Sequence, residues 1–173
     1  MRCPAIGDGG LIYEAVKESL PELRQFITSA PWAAAEPSVD SSEVFSRIGN
    51  ANFLARKDLP FLIFSRETGA FIGCTGLHRP DWEVPKFELG YWIRTSQSGK
   101  GFVTEAIRTL AGMAENELSA ARLEIFTDSA NQKSRAVAER TGFHLDATLV
   151  NYRRKPDGAL QDYCLYARTR NAA

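Results

Sequence analysis

The stretch Glu88-Leu-Gly-Tyr-Trp-Ile-Arg-Thr-Ser-Gln-Ser-Gly-Lys-Gly-Phe-Val-Thr-Glu-Ala106 changes its period halfway along. Phe87, Leu89, Tyr91 and Ile93 alternate with Glu88, Gly90 and Trp92, which predicts a strand. Ser98-Gly99-Lys100-Gly101 breaks the alternation. Beyond it, Val103, Ile107, Leu110, Ala111 and Ala114 share one helical face. Two glycines in the connection let backbone N–H groups crowd around a ligand where a Cβ would clash. Those N–H groups open a helix, so they lack intrahelical acceptors and attract phosphate. The stretch therefore reads as an anion cradle for a nucleotide-like cofactor. A plain surface turn capping a helix remains the alternative.

Neither of two common cradles fits. A Walker loop would need Gly where Arg94 stands and Ser or Thr where Gly101 stands. A dinucleotide fingerprint would need Gly at Thr104. A second signal lies further on, in Asn131-Gln-Lys-Ser-Arg-Ala-Val-Ala-Glu-Arg-Thr-Gly-Phe143. It follows a predicted strand, Arg122–Thr127, and reads as a short helix closed by Gly142. Strand, glycine cradle, helix, strand, Asn-x-x-Ser helix and Gly-Phe in this order resemble the GNAT acetyltransferases, over roughly residues 59 to 168. The wording ELGYWI…GKGFVTEA…NQKSRAVAERTGF is most similar to the RimJ/RimL branch, the ribosomal-protein N-terminal acetyltransferases and their relatives.

The resemblance implies an α+β, three-layer fold. Its central sheet would be mixed and mostly antiparallel, with a splayed strand pair and helices on both faces. It implies one N-acetyltransferase domain over 1–173, with acceptor-side helices at about 8–57 and a cofactor-binding core at about 59–168. It also implies acetyl-coenzyme A as cosubstrate, with no metal, and an amine acceptor that is a protein N-terminus or a small molecule; a coenzyme A-binding regulatory module whose chemistry has lapsed is the alternative. A homodimer is left open.

Composition fits these expectations. The chain has 173 residues, 44% of them hydrophobic, enough for one domain with a sizeable core. Its 21 basic and 21 acidic residues cancel, so no global field recruits nucleic acid or an anionic membrane. Cys3, Cys74 and Cys164 are odd in number and without paired spacing, which speaks against disulfides and zinc and suits a cytoplasmic protein. No apolar run approaches the ~18 residues of a membrane span.

Along the chain, Asp8-Gly-Gly starts a helix, and Ser19-Leu-Pro-Glu22 has capping-box spacing that predicts a second one. Trp32 is expected to anchor a link segment. A third helix at about 41–55 offers Val44, Phe45, Ile48 and Phe53 as apolar positions. Pro60–Ser65 and Ala70–Leu77 read as a hairpin, with 78–85 as a polar loop. Ala147–Tyr152 and Asp162–Ala167 form a last hairpin through Lys155-Pro-Asp-Gly158.

The family resemblance assigns the pyrophosphate to the backbone of Gly99, Lys100, Gly101, Phe102 and Val103, with Lys100 able to add charge. Gly90 interrupts an apolar strand, which suggests a bulge or a close backbone approach. In the family the freed edge of this strand, here Tyr91, Trp92 and Ile93, pairs with the pantetheine arm. Asn131 matches the Asn that reaches the pantetheine, and an N-cap role is its alternative. The common family helix carries a proton-donating Tyr seven residues after that Asn, where this chain has Ala138. Ser134, one helical turn beyond Asn131, takes that role in the resemblance. Glu88, on the strand face opposite Phe87 and Leu89, is the candidate base. At pH 7, freeing an α-amine (pKa ~8) costs about 1.4 kcal/mol and freeing a lysine (~10.4) about 4.6, so a carboxylate acting through water suits the α-amine better.

Overall fold

A computed structural model describes residues 1–27, 31–155 and 157–169, without the side chains of Pro31 and Trp32. The expected Trp32 anchor and Pro156 of the last turn therefore lie outside the described residues. The element order is α1 (Gly9–Phe26), α2 (Pro31–Ala34), α3 (Val39–Leu54), β1 (Leu59–Phe64), β2 (Phe71–Asp81) and β3 (Lys86–Ile93). A 3₁₀ turn (Thr95–Gln97) then leads to α4 (Phe102–Glu117), β4 (Arg122–Asp128), α5 (Gln132–Arg140), β5 (His144–Arg154) and β6 (Leu160–Thr169).

The six strands form one sheet in the order β1-β2-β3-β4-β6-β5. Every neighbouring pair is antiparallel except β3 and β4. That parallel pair is short, Lys86↔Arg122 to Glu88↔Glu124. From Leu89 and Ile125 onward the two strands part. The expected mixed sheet with a splayed pair is thus observed.

Side-chain alternation assigns each face. Phe87 and Leu89 meet Ile107, Leu110, Leu123, Ile125, Ala138 and Phe143 in the larger core, beneath α4 and α5. Trp92, Cys74, Phe71 and Leu62 meet Ile12, Ala15 and Val16 of α1 on the other face. Glu88, Gly90 and Trp92 therefore look toward α1, and Leu89, Tyr91 and Ile93 toward α4.

Three expectations about the elements change. The Ser19 region does not begin a new helix, because α1 runs unbroken with Pro21 inside it. Proline there removes one backbone donor, but buried Val16 and Leu23 anchor α1 on either side. The fully buried Ser19 hydroxyl accepts from the Thr95 N–H (3.0 Å) instead of capping a helix. The second change is in α3, where Val44, Phe45 and Ile48 are exposed and Ser42, Ser46 and Gly49 are buried. The third is in β2, which continues through His78 to Asp81 with a register shift before Asp81. Arg79 takes φ 49° in that bulge, a rare conformation for a side-chain-bearing residue.

Candidate active site

The turn after β3 sets two glycines at the start of α4. Gly99 and Gly101 take φ +78° and +84°, the left-handed region that glycine enters without steric cost. A Cβ at either position would point into open space. Gly101 is the N-cap of α4 and gives no side-chain cap, so the first-turn amides of α4 remain available. Together with Ile93, Thr104, Val137 and Arg140, the segment Gly99, Gly101, Phe102 and Val103 lines a cleft of about 420 Å³. These residues fit a pyrophosphate. Lys100 is not part of the lining; its Nζ donates to Gln97 Oε1 at 3.1 Å on the outer side of the turn. Arg140, which the sequence reading passed over, supplies the cation on the cleft wall.

The turn is fastened to α1. Glu18 accepts from Arg94 Nε (2.9 Å) and from the Ser96 N–H (2.9 Å). Its hydrogen bonds from Ser96 and Arg94 hold the carboxyl down at about 2.

Between the cradle and the fork, Tyr91 and Ser134 meet. The Tyr91 hydroxyl lies 2.9 Å from Ser134 Oγ and 3.1 Å from Ser134 O. Burial pushes that phenol up to about 12, so it is a hydrogen-bond donor at neutral pH. Tyr91 was expected to contribute backbone only, and its hydroxyl is an addition. Asn131 Oδ1 accepts from the Ser134 N–H (3.0 Å), the N-cap arrangement. The cap uses the amide oxygen and leaves its NH₂ for a ligand. Trp92 turns its ring into the α1 cluster, edge-on to Phe71 at 6.1 Å, so only its backbone belongs to the fork. Thr75 Oγ1 donates to Gly90 O at 3.0 Å and steadies the strand where it leaves its parallel partner.

A second cleft, of about 310 Å³, is lined by Arg79, Lys86, Glu88, Glu124, Phe126, Tyr152 and Arg153. Glu88 and Glu124 are the last paired residues before the fork, and both face α1. The bulge brings Arg79 onto the Glu88 carboxylate as an ion pair. Glu124 accepts from Arg122 Nε at 2.6 Å. The two clefts thus lie on opposite faces of β3, one at Lys86 and Glu88 and the other at Ile93.

Buried Cys74 and Cys164 lie in the cores, and burial pushes the Cys74 thiol up, away from a nucleophilic thiolate. Among the described residues no helix is long and apolar enough to cross a membrane.

This arrangement of mixed sheet, fork and helix-N-terminal cradle defines a coenzyme A-type acyl-transfer domain. The acetyltransferase (GNAT) domain family matches residues 4–144, and the chain belongs to that family. It is 44% identical over 75 residues to the "Putative ribosomal N-acetyltransferase YdaF" of Bacillus subtilis (strain 168), which covers 43% of this chain and 41% of that protein, less than half its length. It is 25% identical over 150 residues to the "Uncharacterized N-acetyltransferase p20" of Bacillus licheniformis, covering 85% and 80%. Among solved structures, RimL, the ribosomal L7/L12 alpha-N-protein acetyltransferase in complex with coenzyme A, superposes with TM-score 0.90 at 19% identity over 99% of this chain and 94% of that one. The microcin C7 self-immunity acetyltransferase MccE, in complex with acetyl-CoA and AMP, gives 0.87 at 22% over 97% and 90%.

Proposed function

We propose that this chain moves an acetyl group from acetyl-CoA to a primary amine by direct attack in a ternary complex, and that the acceptor is a protein N-terminal α-amine. The observation that carries this reading is the pair of clefts on opposite faces of β3, beside the point where it leaves β4. Donor and acceptor can enter from opposite sides and meet without an acyl-enzyme. Holding them together is worth up to roughly 7–11 kcal/mol. The names of YdaF and RimL support the protein acceptor. The small volume of the second cleft favours a second reading, a small-molecule amine.

In this scheme the amides of Gly99 to Val103, that of Lys100 among them, hold the pyrophosphate, and Arg140 adds charge. Backbone groups of Tyr91, Trp92 and Ile93 and the Asn131 NH₂ hold the pantetheine arm. The amine nitrogen bonds to the thioester carbonyl carbon and the C–S bond breaks. Ser134 Oγ gives the departing sulfur its proton, while the Tyr91 hydroxyl donates to the Ser134 oxygen. Glu88, the carboxylate at the end of the β3–β4 ladder, draws the acceptor's ammonium group to the fork.

Titration calorimetry with coenzyme A, and thiol release with a panel of serine- and alanine-initiated peptides and small primary amines, test the proposal. Peptide turnover is expected. Ser134→Ala should lower kcat by about 100-fold and leave coenzyme A affinity near wild type. Binding without turnover on any amine would sink the enzyme reading.

A further inference from the structure

By sequence His78 stands at the end of a strand and the start of a loop, where it either approaches substrate or simply faces water. The structure places it in β2, directly opposite Glu88 in register. Its Nδ1 lies 2.7 Å from Asp58 Oδ1. Its ring lies over two facing glycines, Gly76 and Gly90, which pair across β2 and β3. A Cβ on Gly90 would come within 2.9 Å of Cδ2 and 3.0 Å of Nε2. On Gly76 it would come within 2.7 Å of Cε1. The bare backbone at both positions thus makes the floor on which the imidazole rests. That is a second reason for the glycine inside the apolar run of β3.

Gly90 is two residues past the last β3–β4 pair, so His78 Nε2 stands at the fork, on the face of the acceptor cleft. An ionised carboxylate accepts only, so Asp58 fixes the ring hydrogen on Nδ1 and leaves Nε2 with its lone pair. The side chain is one-third exposed. Glu88 beside it is already held by Arg79, and that ion pair must open before the carboxylate can take a proton. Asp58, Glu88 and Arg79 are the charged groups set around the ring.

We infer that His78, positioned by Asp58 on the Gly76–Gly90 floor, is the catalytic base that receives the proton of the attacking amine, with Glu88 and Arg79 holding the acceptor beside it. The inference rests on the proposed acetyl transfer and deepens it. As the C–N bond forms, one amine hydrogen passes to Nε2, giving an imidazolium held by Asp58. The C–S bond breaks, the sulfur takes a proton from Ser134 Oγ, and Ser134 regains one from the Tyr91 hydroxyl, which is resupplied by solvent as the imidazolium returns its own proton there.

The chain holds two histidines, His78 and His144, so nitrogen-15 imidazole spectra of the full chain resolve each. The neutral His78 ring should carry its hydrogen on Nδ1. With acetyl-CoA and a serine-initiated peptide, His78→Ala should lower kcat about 100-fold or more. It should keep the KM for acetyl-CoA, lose the ascending limb of the pH–rate profile, and recover about tenfold with added imidazole. Asp58→Asn should move the tautomer and shift that limb. Near wild-type turnover by His78→Ala with an unchanged pH profile, or a loss that imidazole does not restore, overturns the base alone. A wild-type chain that binds acetyl-CoA but acetylates no amine overturns the transferase reading and this base with it. Should His78→Ala not fold, hydrogen on Nε2 of the neutral wild-type ring is the result that rejects the assignment.

Discussion

Helices α3 and α4 are each 16 residues long, and they bury opposite kinds of side chain. Helix α4 turns Ile107, Leu110, Ala111 and Ala114 into the core, all with zero exposure. Helix α3 turns Ser42, Ser46 and Gly49 inward and leaves Val44 and Ile48 more than half exposed, 53% and 55%. The difference lies in what each helix meets. Helix α4 lies on the wide apolar face of the sheet, where large side chains fill the space between layers. Helix α3 is pressed against α1 and the β1 edge. A Cβ on Gly9 of α1 would strike the Glu43 backbone at 2.8 Å, and one on Gly49 would meet Pro60 Cγ at 3.2 Å. Only small residues fit such close approaches, so the larger ones are turned out. An apolar stripe therefore marks a buried face only where there is room for it.

The largest expected effect tests this contrast directly. Leu110→Ala should cost about 2–5 kcal/mol in urea unfolding, whereas Ile48→Ala should stay within about 0.5 kcal/mol of wild type. Equal losses at both sites would erase the distinction between the helices. Next in size, Gly49→Leu should cost about 1–3 kcal/mol by overpacking the α3 seam, read from the same unfolding midpoint. A neutral outcome would mean that the seam is looser than the Pro60 distance implies.

The smallest effect concerns the join between the α1 layer and the cradle. The Glu18 carboxyl is held at about 2, below its ordinary 4.5, by Ser96 and Arg94. A carboxyl lowered by folding adds stability above its unfolded value and loses it as pH falls toward the folded one. The α1–cradle clamp should therefore weaken between about pH 4.5 and 2, with amide exchange at Thr95 and Ser96 rising in that window. Glu18→Gln should flatten this dependence while changing stability at pH 7 little, since the pair is open to solvent. A variant with the wild-type acid profile would show that Glu18 is not the titrating clamp.

The cradle was legible because its residues are neighbours in the chain. The switch from period two to period 3.6 across Gly99 and Gly101 is a local pattern, and local backbone geometry follows from it. The fork was legible only through the family resemblance, since no spacing within β3 says where its parallel partner leaves. Other site features are joined by long separations. The Tyr91 hydroxyl meets Ser134 from 43 positions away, and His78 meets Asp58 from 20. A bulge swings Arg79 onto Glu88, and an arginine at φ 49° carries no signature in the sequence.

By itself, then, the sequence determined the sheet-facing positions of β3 and α4, the left-handed glycines of the turn and the Asn-x-x-Ser helix start, because hydrophobic period and steric freedom act over a few residues. Only the tertiary structure decided which face of α3 is buried, that α1 continues through Pro21, that the His78 imidazole meets Asp58, and that the Tyr91 phenol meets Ser134. Those outcomes depend on the distance between layers and on strand register, quantities that arise only when distant segments are brought into contact.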